Sequence, residues 1–326
     1  MARRLNTRLT KRFGIEHPII QAPMAKTSGG ALAGAVSDAG GLGLIGGGYG
    51  DADWLDAQYA IACNRPVGCG FITWSLAKQP DLLTRVLERS PRAVFLSFGD
   101  PAPFARKIQE AGVPLICQVQ TLCDAMHAAN CGADVIVAQG SEAGGHGEKR
   151  ATFTLVSEVA DWVYGDFPDT LVCAAGGIAD GRGLAAALAL GADGVVVGSR
   201  FWASAEALVA DAMQEAAILA TGDDTIRSTV MDIARKLDWP ERYSARVLRN
   251  AFTDRWHNDI PGLLAVAETE SARWNAAMDR GDPTIANTFV GEATGLIEAI
   301  HPAGKIVETL VREAIEEIDR VSRVVT

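Results

Sequence analysis

The chain has 326 residues, of which 48% are hydrophobic and 21% charged, with a formal net charge of −10. That hydrophobicity excludes a disordered chain, and the lack of a Gly-X-Y period excludes collagen even though 34 residues are glycine. The apolar runs fall short of the roughly 20 residues of a membrane span, and an acidic chain without a basic stripe is not built to hold nucleic acid.

The basic residues that do cluster, Arg3, Arg4, Arg8, Lys11 and Arg12, open the chain. No signal-peptide-like apolar stretch follows them, so they read as a solvated N-terminus. From there eight short apolar runs follow, at 18–22, 41–45, 66–72, 93–98, 114–119, 134–138, 170–174 and 194–197. Their near-continuous apolar character fits strands of a parallel sheet buried on both faces. Amphipathic, Ala- and Leu-rich segments separate them, at 28–39, 51–63, 80–88, 101–111, 122–131, 154–164 and 180–190. Ser28 and Asp180 are candidate N-caps, Pro80 and Pro101 suit a first turn, and Gly40, Gly112, Gly132 and Gly191 stand where helices end. Eight strands alternating with helices predict a (β/α)8 TIM barrel. An open doubly wound sheet fits less well, because no Gly-x-Gly-x-x-Gly follows the first strand.

After Phe201 the texture changes: six glycines lie in 201–326, against 28 before. A helix is expected over 204–221, an extended piece over 224–230, and helical patterns over 240–250, 262–280 and 305–322. The expected division is a barrel over 1–204, completed by the C-terminal helix at 301–326, with a mostly helical, substrate-covering addition over 205–300. The six cysteines contain no Cys-x-x-Cys pair, and Cys69, Cys117 and Cys173 sit in apolar runs as small core residues. They predict a reduced, cytoplasmic protein without a metal site.

Three motifs could carry chemistry. Ala175-Gly-Gly-Ile-Ala-Asp-Gly-Arg-Gly183 and Gly194-Val-Val-Val-Gly-Ser-Arg-Phe201 end the seventh and eighth strands. The bare N–H groups of Gly176, Gly177, Gly198 and Ser199 would converge there on a phosphate, as at the usual barrel phosphate site. Ala138-Gln-Gly-Ser-Glu-Ala-Gly-Gly-His-Gly147 follows the sixth strand. Gly145 would let a ligand approach, and His146 would stand where barrel catalytic groups sit, as a base or hydrogen-bond donor. Gln21-Ala-Pro-Met-Ala25 ends the first strand, with Met24 suited to a planar aromatic ligand. Gln118 and Gln120 bracket the end of the fifth strand, and the glycines at 40–43 and 46–48 permit tight loops at the same rim. The remaining histidines, at 17, 127, 257 and 301, read as structural.

Together, Gln21-Ala-Pro-Met24, Gly140-Ser-Glu-Ala-Gly-Gly-His146, Ala174-Ala-Gly-Gly-Ile178 and Val197-Gly-Ser-Arg-Phe201 resemble the nitronate monooxygenase family, over essentially the whole chain. The resemblance implies an FMN-containing barrel that oxidises alkyl nitronates with O2 to a carbonyl compound and nitrite. It implies that Ala22, Pro23 and Met24 hold the flavin ring and Gln118 its polar edge. Gly145, Gly176, Gly177, Gly198 and Ser199 would cradle the phosphate, with His146 placed beside the substrate. It implies a nitronate or nitroalkane and O2 as small-molecule partners, with no nucleic acid or membrane, and leaves a homodimer open. The family carries Asn in the strand-3 motif, where this chain reads Gly68-Cys-Gly-Phe-Ile-Thr-Trp74, and uses later tyrosines where this chain has only Tyr243. Phe71, Thr73 and Trp74 are therefore the expected pocket wall. The alternative is an FMN-dependent NAD(P)H reductase of quinones or enoyl thioesters, which shares the barrel and the His loop. A flavin-free sugar-phosphate barrel would need acids or lysines at other strand ends, where only Lys26 and Asp100 stand.

Overall fold

A computed structural model describes residues 3–324. Eight parallel strands, β1 Ile19–Gln21, β2 Leu44–Gly48, β3 Gly68–Ile72, β4 Val94–Ser97, β5 Leu115–Val119, β6 Val135–Gln139, β7 Leu171–Ala175 and β8 Gly194–Val197, lie in the order β1-β8-β7-β6-β5-β4-β3-β2. The seam between β1 and β2 is bridged at Ile20 and Leu42, where the Gln21 amide donates to the Leu42 carbonyl at 2.9 Å. The result is a nearly closed α/β barrel of TIM type.

Alternation along each strand explains the apolar runs. In β6, Val135 and Val137 join the interior cluster with Ile20, Phe95 and Cys173, while Ile136 and Ala138 pack with the surrounding helices. Both faces are therefore dry, as the composition required. The seven expected helices between the strands are present, as Gly30–Asp38, Ala52–Ala62, Asp81–Leu87, Ala102–Glu110, Leu122–Asn130, Thr152–Asp166 and Gly181–Ala189. Asp180 caps the last of these by accepting from the Gly183 amide at 3.1 Å. Ser28 does not cap; Gly29 takes that position. The Ser28 hydroxyl instead donates to the Ala22 carbonyl and accepts from the Met24 amide, at 3.0 and 3.1 Å. It braces the loop at the end of β1.

The basic residues of the N-terminus are exposed, as expected, but the segment that carries them is docked on the barrel. Helix Arg8–Phe13 closes the bottom of the barrel, with Leu9 and Phe13 buried in its interior cluster. Arg8 donates to Asp193 through Nε and Nη2, at 2.9 and 3.0 Å, and to the Thr170 carbonyl at 2.8 Å. Arg12 pairs with Asp134, and Arg3 with Asp319. The two apolar side chains on one face of the short helix decide its position, and Arg8 and Arg12 then meet the acids just before β8 and β6.

The glycines at 46–48 are not a loop; they continue β2. A Cβ at Gly46 would lie 2.3 Å from the Met24 carbonyl oxygen, so the missing side chain lets the end of β1 lean on β2.

Beyond residue 204 the chain is mixed rather than mostly helical. The segment at 240–250 holds strand Ser244–Leu248, not a helix. It pairs antiparallel with Thr225–Ser228, which the extended piece over 224–230 anticipated, and with Gly145–Gly147. Ala245 and Val247 are buried while Ser244 and Arg246 are half-buried, a period of two that suits a strand. The 204–221 segment is helical only over Asp211–Leu219. The 262–280 helix is Ala267–Asp279, preceded by the separate short helix Ile260–Ala265. Helix Ala303–Ser322 returns to the barrel, against Gly181–Ala189 and Gly30–Asp38. No described helix is long and apolar enough to cross a membrane.

Candidate active site

The site lies at the C-terminal ends of the barrel strands. His146 is held there by a strand rather than a free loop, because residue 146 pairs with Ala245. Its carbonyl accepts from Gln139 Nε2 at 3.2 Å, and Gln139 Oε1 accepts from Gln120 Nε2 at 2.8 Å. The loop before it is fastened by two arginines, Arg227 and Arg246, which both donate to the Ser141 carbonyl, at 3.1 and 2.9 Å. Burial and the neighbouring Arg246 charge push the Arg227 guanidinium down to about 10. Gly144 packs against the 290–291 backbone so closely that a Cβ would lie 2.5 Å from the Val290 carbonyl carbon.

The imidazole is 6% exposed, and its Nε2 lies 2.9 Å from Oδ2 of Asp232, itself 5% exposed. Trp239 stacks on the ring with centroids 3.4 Å apart and planes 4° from parallel. Phe98 meets both rings edge-on, at 6.2 Å from His146 and 5.1 Å from Trp239. Tyr49, Trp74 and Tyr243 extend the cluster, and Trp239 Nε1 donates to the Tyr49 hydroxyl at 3.1 Å. Burial in this setting lowers the His146 pKa, against the opposing pull of Asp232. Burial thus favours the neutral imidazole, in which one ring nitrogen carries no proton.

The other expected site residues fall at the same rim, with one exception. Trp74 is 5.4 Å from Trp239, ring centre to ring centre. Thr73 is buried with its hydroxyl unpaired, as is the Trp74 indole N–H. Phe71 belongs instead to the layer between barrel and helices, since Gly68 and Gly70 take the inward positions of β3. It cannot wall the pocket from there. Pro23 lies over Gly70, where a Cβ would come within 2.3 Å of its ring. Met24 sits between the barrel–helix cluster and the apolar cluster built by the later residues. Gln118, partly buried, faces a cavity of about 320 Å³ that Gln120, Asp124, Arg242 and Tyr243 also line. Exposed Asp100 and His127 pair at 2.7 Å on its outer edge, with Cys131 3.8 Å from His127.

The glycine-rich ends of β7 and β8 form an open cradle. A Cβ at Gly145 would meet nothing within 4 Å; at Gly177 and Gly198 the nearest atoms would be 3.5 and 3.8 Å away. Among the described residues, the amides of Gly176, Gly177 and Gly198 donate to no backbone acceptor. Ser199 Oγ accepts from the Gly291 amide at 2.8 Å, so its own hydroxyl proton stays available. Gly176 serves the turn, with φ at +102° and Thr152 behind it. The nearby Glu142 carboxylate is turned to the start of helix Thr152–Asp166, where it accepts from the Thr152 amide and hydroxyl at 3.0 and 2.9 Å.

Motifs did not reveal Asp232, Trp239, Tyr49 or Phe98. Tyr49 and Phe98 directly follow β2 and β4, so strand-end position alone was a usable signal. Phe98 also carries a positive φ of 62°, a strained conformation for an aromatic residue. Asp232 and Trp239 come from a stretch without a motif and reach the site only through the tertiary fold.

The nitronate monooxygenase family profile matches residues 6–67 and 73–313. The chain belongs to the nitronate monooxygenase family. It is 36% identical to the nitronate monooxygenase of Neurospora crassa, over 93% of this chain and 90% of that one. Among solved structures, FabK from Thermotoga maritima superposes with a TM-score of 0.87 at 33% identity, covering 98% of this chain and all of that one. Nitroalkane oxidase from Streptomyces ansochromogenes gives 0.80 at 27%, over 96% of this chain and 99% of that one. The protein is accordingly an enzyme, a flavin-dependent oxidoreductase. The residues present fit a flavin: unspent amides at open glycines suit a phosphate, and the buried unpaired Thr73 and Trp74 polar groups lie at the same rim.

Proposed function

We propose that the enzyme is an FMN-dependent nitronate monooxygenase, oxidising alkyl nitronates with O2 to a carbonyl compound and nitrite. The observation that carries the reading is His146: a buried, neutral imidazole at the top of the barrel in a chain of this family. Bound FMN supplies the redox chemistry. The phosphate would rest on Gly145, Gly177, Gly198 and Ser199, with Gly176 shaping the turn. Ala22, Pro23 and Met24 would hold the ring, and Gln118 its polar edge. His146 takes the α-proton when the substrate is a neutral nitroalkane, a step that a substrate supplied as the nitronate does not need. Thr73 and Trp74, the latter 5.4 Å from Trp239, would wall the substrate pocket, and the residues after 204 would cover it.

A second reading, an FMN-dependent NAD(P)H reductase of quinones or enoyl thioesters, is favoured by the likeness to FabK at 33% identity. Anaerobic mixing separates the two. The monooxygenase reading expects the flavin to respond to ethylnitronate or propionate-3-nitronate; bleaching by NADH with no response to either nitronate would replace it with the reductase.

A further inference from the structure

We infer that Asp232 is a positioning residue that holds the Nε2–H of His146 and leaves Nδ1 as the basic nitrogen presented to substrate. This rests on the reading of His146 as the base of a nitroalkane-handling site.

A neutral imidazole has one N–H donor and one acceptor nitrogen, and a carboxylate only accepts. The 2.9 Å contact between Nε2 and Asp232 Oδ2 therefore places the proton on Nε2. Among the described residues, Nδ1 has no hydrogen-bond partner, and it is not one of the fully buried unpaired atoms. The backbone at 146 is immobilised by its strand pairing and by Gln139. Trp239 covers one face of the ring at 3.4 Å. What remains to be chosen is which nitrogen bears the proton, and Asp232 chooses it.

Besides His146, Asp232 has one charged neighbour among the described residues, the Arg235 guanidinium, and no other hydrogen bond to its carboxylate. It lies in the five-residue helix Val230–Ala234, yet its carboxylate binds no backbone amide, so it is not a cap. Oδ1 has no hydrogen-bond partner, with Arg235 Nη1 at 3.7 Å. A carboxylate buried in this way is costly unless its partner matters. The charged and titratable groups facing the imidazole are Asp232 and Arg235 from that helix and its end, and Arg227 from strand Thr225–Ser228. Tyr49 and Tyr243 lie behind Trp239.

In the step assigned to this pair, the α-proton of a neutral nitroalkane passes to Nδ1. The C–H electron pair moves into the C–N bond and onto the nitro oxygens, giving the nitronate. The imidazolium so formed stays paired with Asp232. A nitronate supplied as such skips this step, so the two substrates separate positioning from general damage.

The test compares nitroethane and ethylnitronate with flavin-loaded wild type, Asp232→Asn and Asp232→Glu. An amide can turn its NH2 toward Nε2 and reverse the tautomer, which in a Ser-His-Asp triad costs about 10⁴-fold. Asp232→Asn is expected to lose at least about 100-fold in kcat on nitroethane and less than about 5-fold on ethylnitronate. Asp232→Glu, which restores the acceptor, is expected to recover at least about 10-fold of the loss. Equal losses on both substrates, or none on nitroethane, overturn the assignment. Nitrogen-15 NMR of the histidine-labelled wild type is a second readout that needs no variant and no turnover. An Nε2–H tautomer is expected for His146, and an Nδ1–H tautomer overturns the inference. A wild type that acts on neither substrate refutes the functional reading instead, while the spectrum still decides the tautomer.

Discussion

The two ends of the barrel are built from the same strands and differ in nearly every other respect. At the bottom, Leu9 and Phe13 fill the interior, and Arg8 satisfies Asp193 and the Thr170 carbonyl. At the top, glycine amides have no backbone acceptor, Thr73 and Trp74 leave polar atoms unpaired, and Phe98 holds a positive φ. One end is closed by protein side chains, although His17 Nδ1 stays buried and unpaired there; the other leaves the Thr73 hydroxyl, the Trp74 indole N–H and the glycine amides unspent. That asymmetry is the expected division of a barrel into a stabilising face and a working face.

Changes at the two ends should therefore separate cleanly. The largest effect is expected from Ser199→Asp, which sets a carboxylate against the proposed phosphate. Purified protein should lose nearly all bound flavin while unfolding close to the temperature of flavin-stripped wild type; stoichiometric flavin in this variant would refute the cradle. Next comes His146→Ala, expected to keep flavin but lower nitroethane turnover by about 10²–10⁴-fold, the usual worth of a general base. Steady-state assays with undiminished turnover would remove His146 from that role.

Phe13→Ala acts at the other end. Emptying this buried aromatic site should cost about 3–5 kcal/mol, read by denaturant unfolding. Flavin content and the ratio of activities on the two substrates should be unchanged at temperatures where the variant is folded. A selective loss of activity would mean that the plug shapes the site.

The smallest effect is on pH dependence. Burial lowers the His146 pKa below its ordinary value near 6.5. The unfolded chain therefore takes up a proton that the fold resists, and this group's contribution to stability is full above pH 6.5 and falls as the pH drops below it. The slope cannot exceed about 1.4 kcal/mol per pH unit for one proton. His146→Gln should flatten the fall in Tm between pH 6.5 and 5 relative to wild type; identical slopes would show that the imidazole is not buried neutral.

Much of the barrel was legible because both faces of each strand are dry. Runs such as Val135–Gln139 show that directly, and Asp180 and the post-helical glycines mark the helix ends. The glycine-rich strand ends and the place of His146 at the rim were legible because strand-end motifs are local. Strand Ser244–Leu248 was not, since five residues with an arginine at the centre gain their period-of-two burial only from partners at 145–147 and 225–228. Phe71 misled because parity, not adjacency, decides which residues of β3 face inward, and the inward places belong to Gly68 and Gly70.

By itself the amino-acid sequence determined a parallel barrel, its glycine-rich strand ends and the place of one histidine at the rim, since each is written in residues close together in the chain. Only the tertiary structure decided what surrounds that histidine. Asp232 lies 86 residues away in the chain yet 2.9 Å away in space, and Trp239 stacks on the same ring. Neither residue carries a local signal, because a buried acid and a lone tryptophan acquire a role only from the group they are folded against.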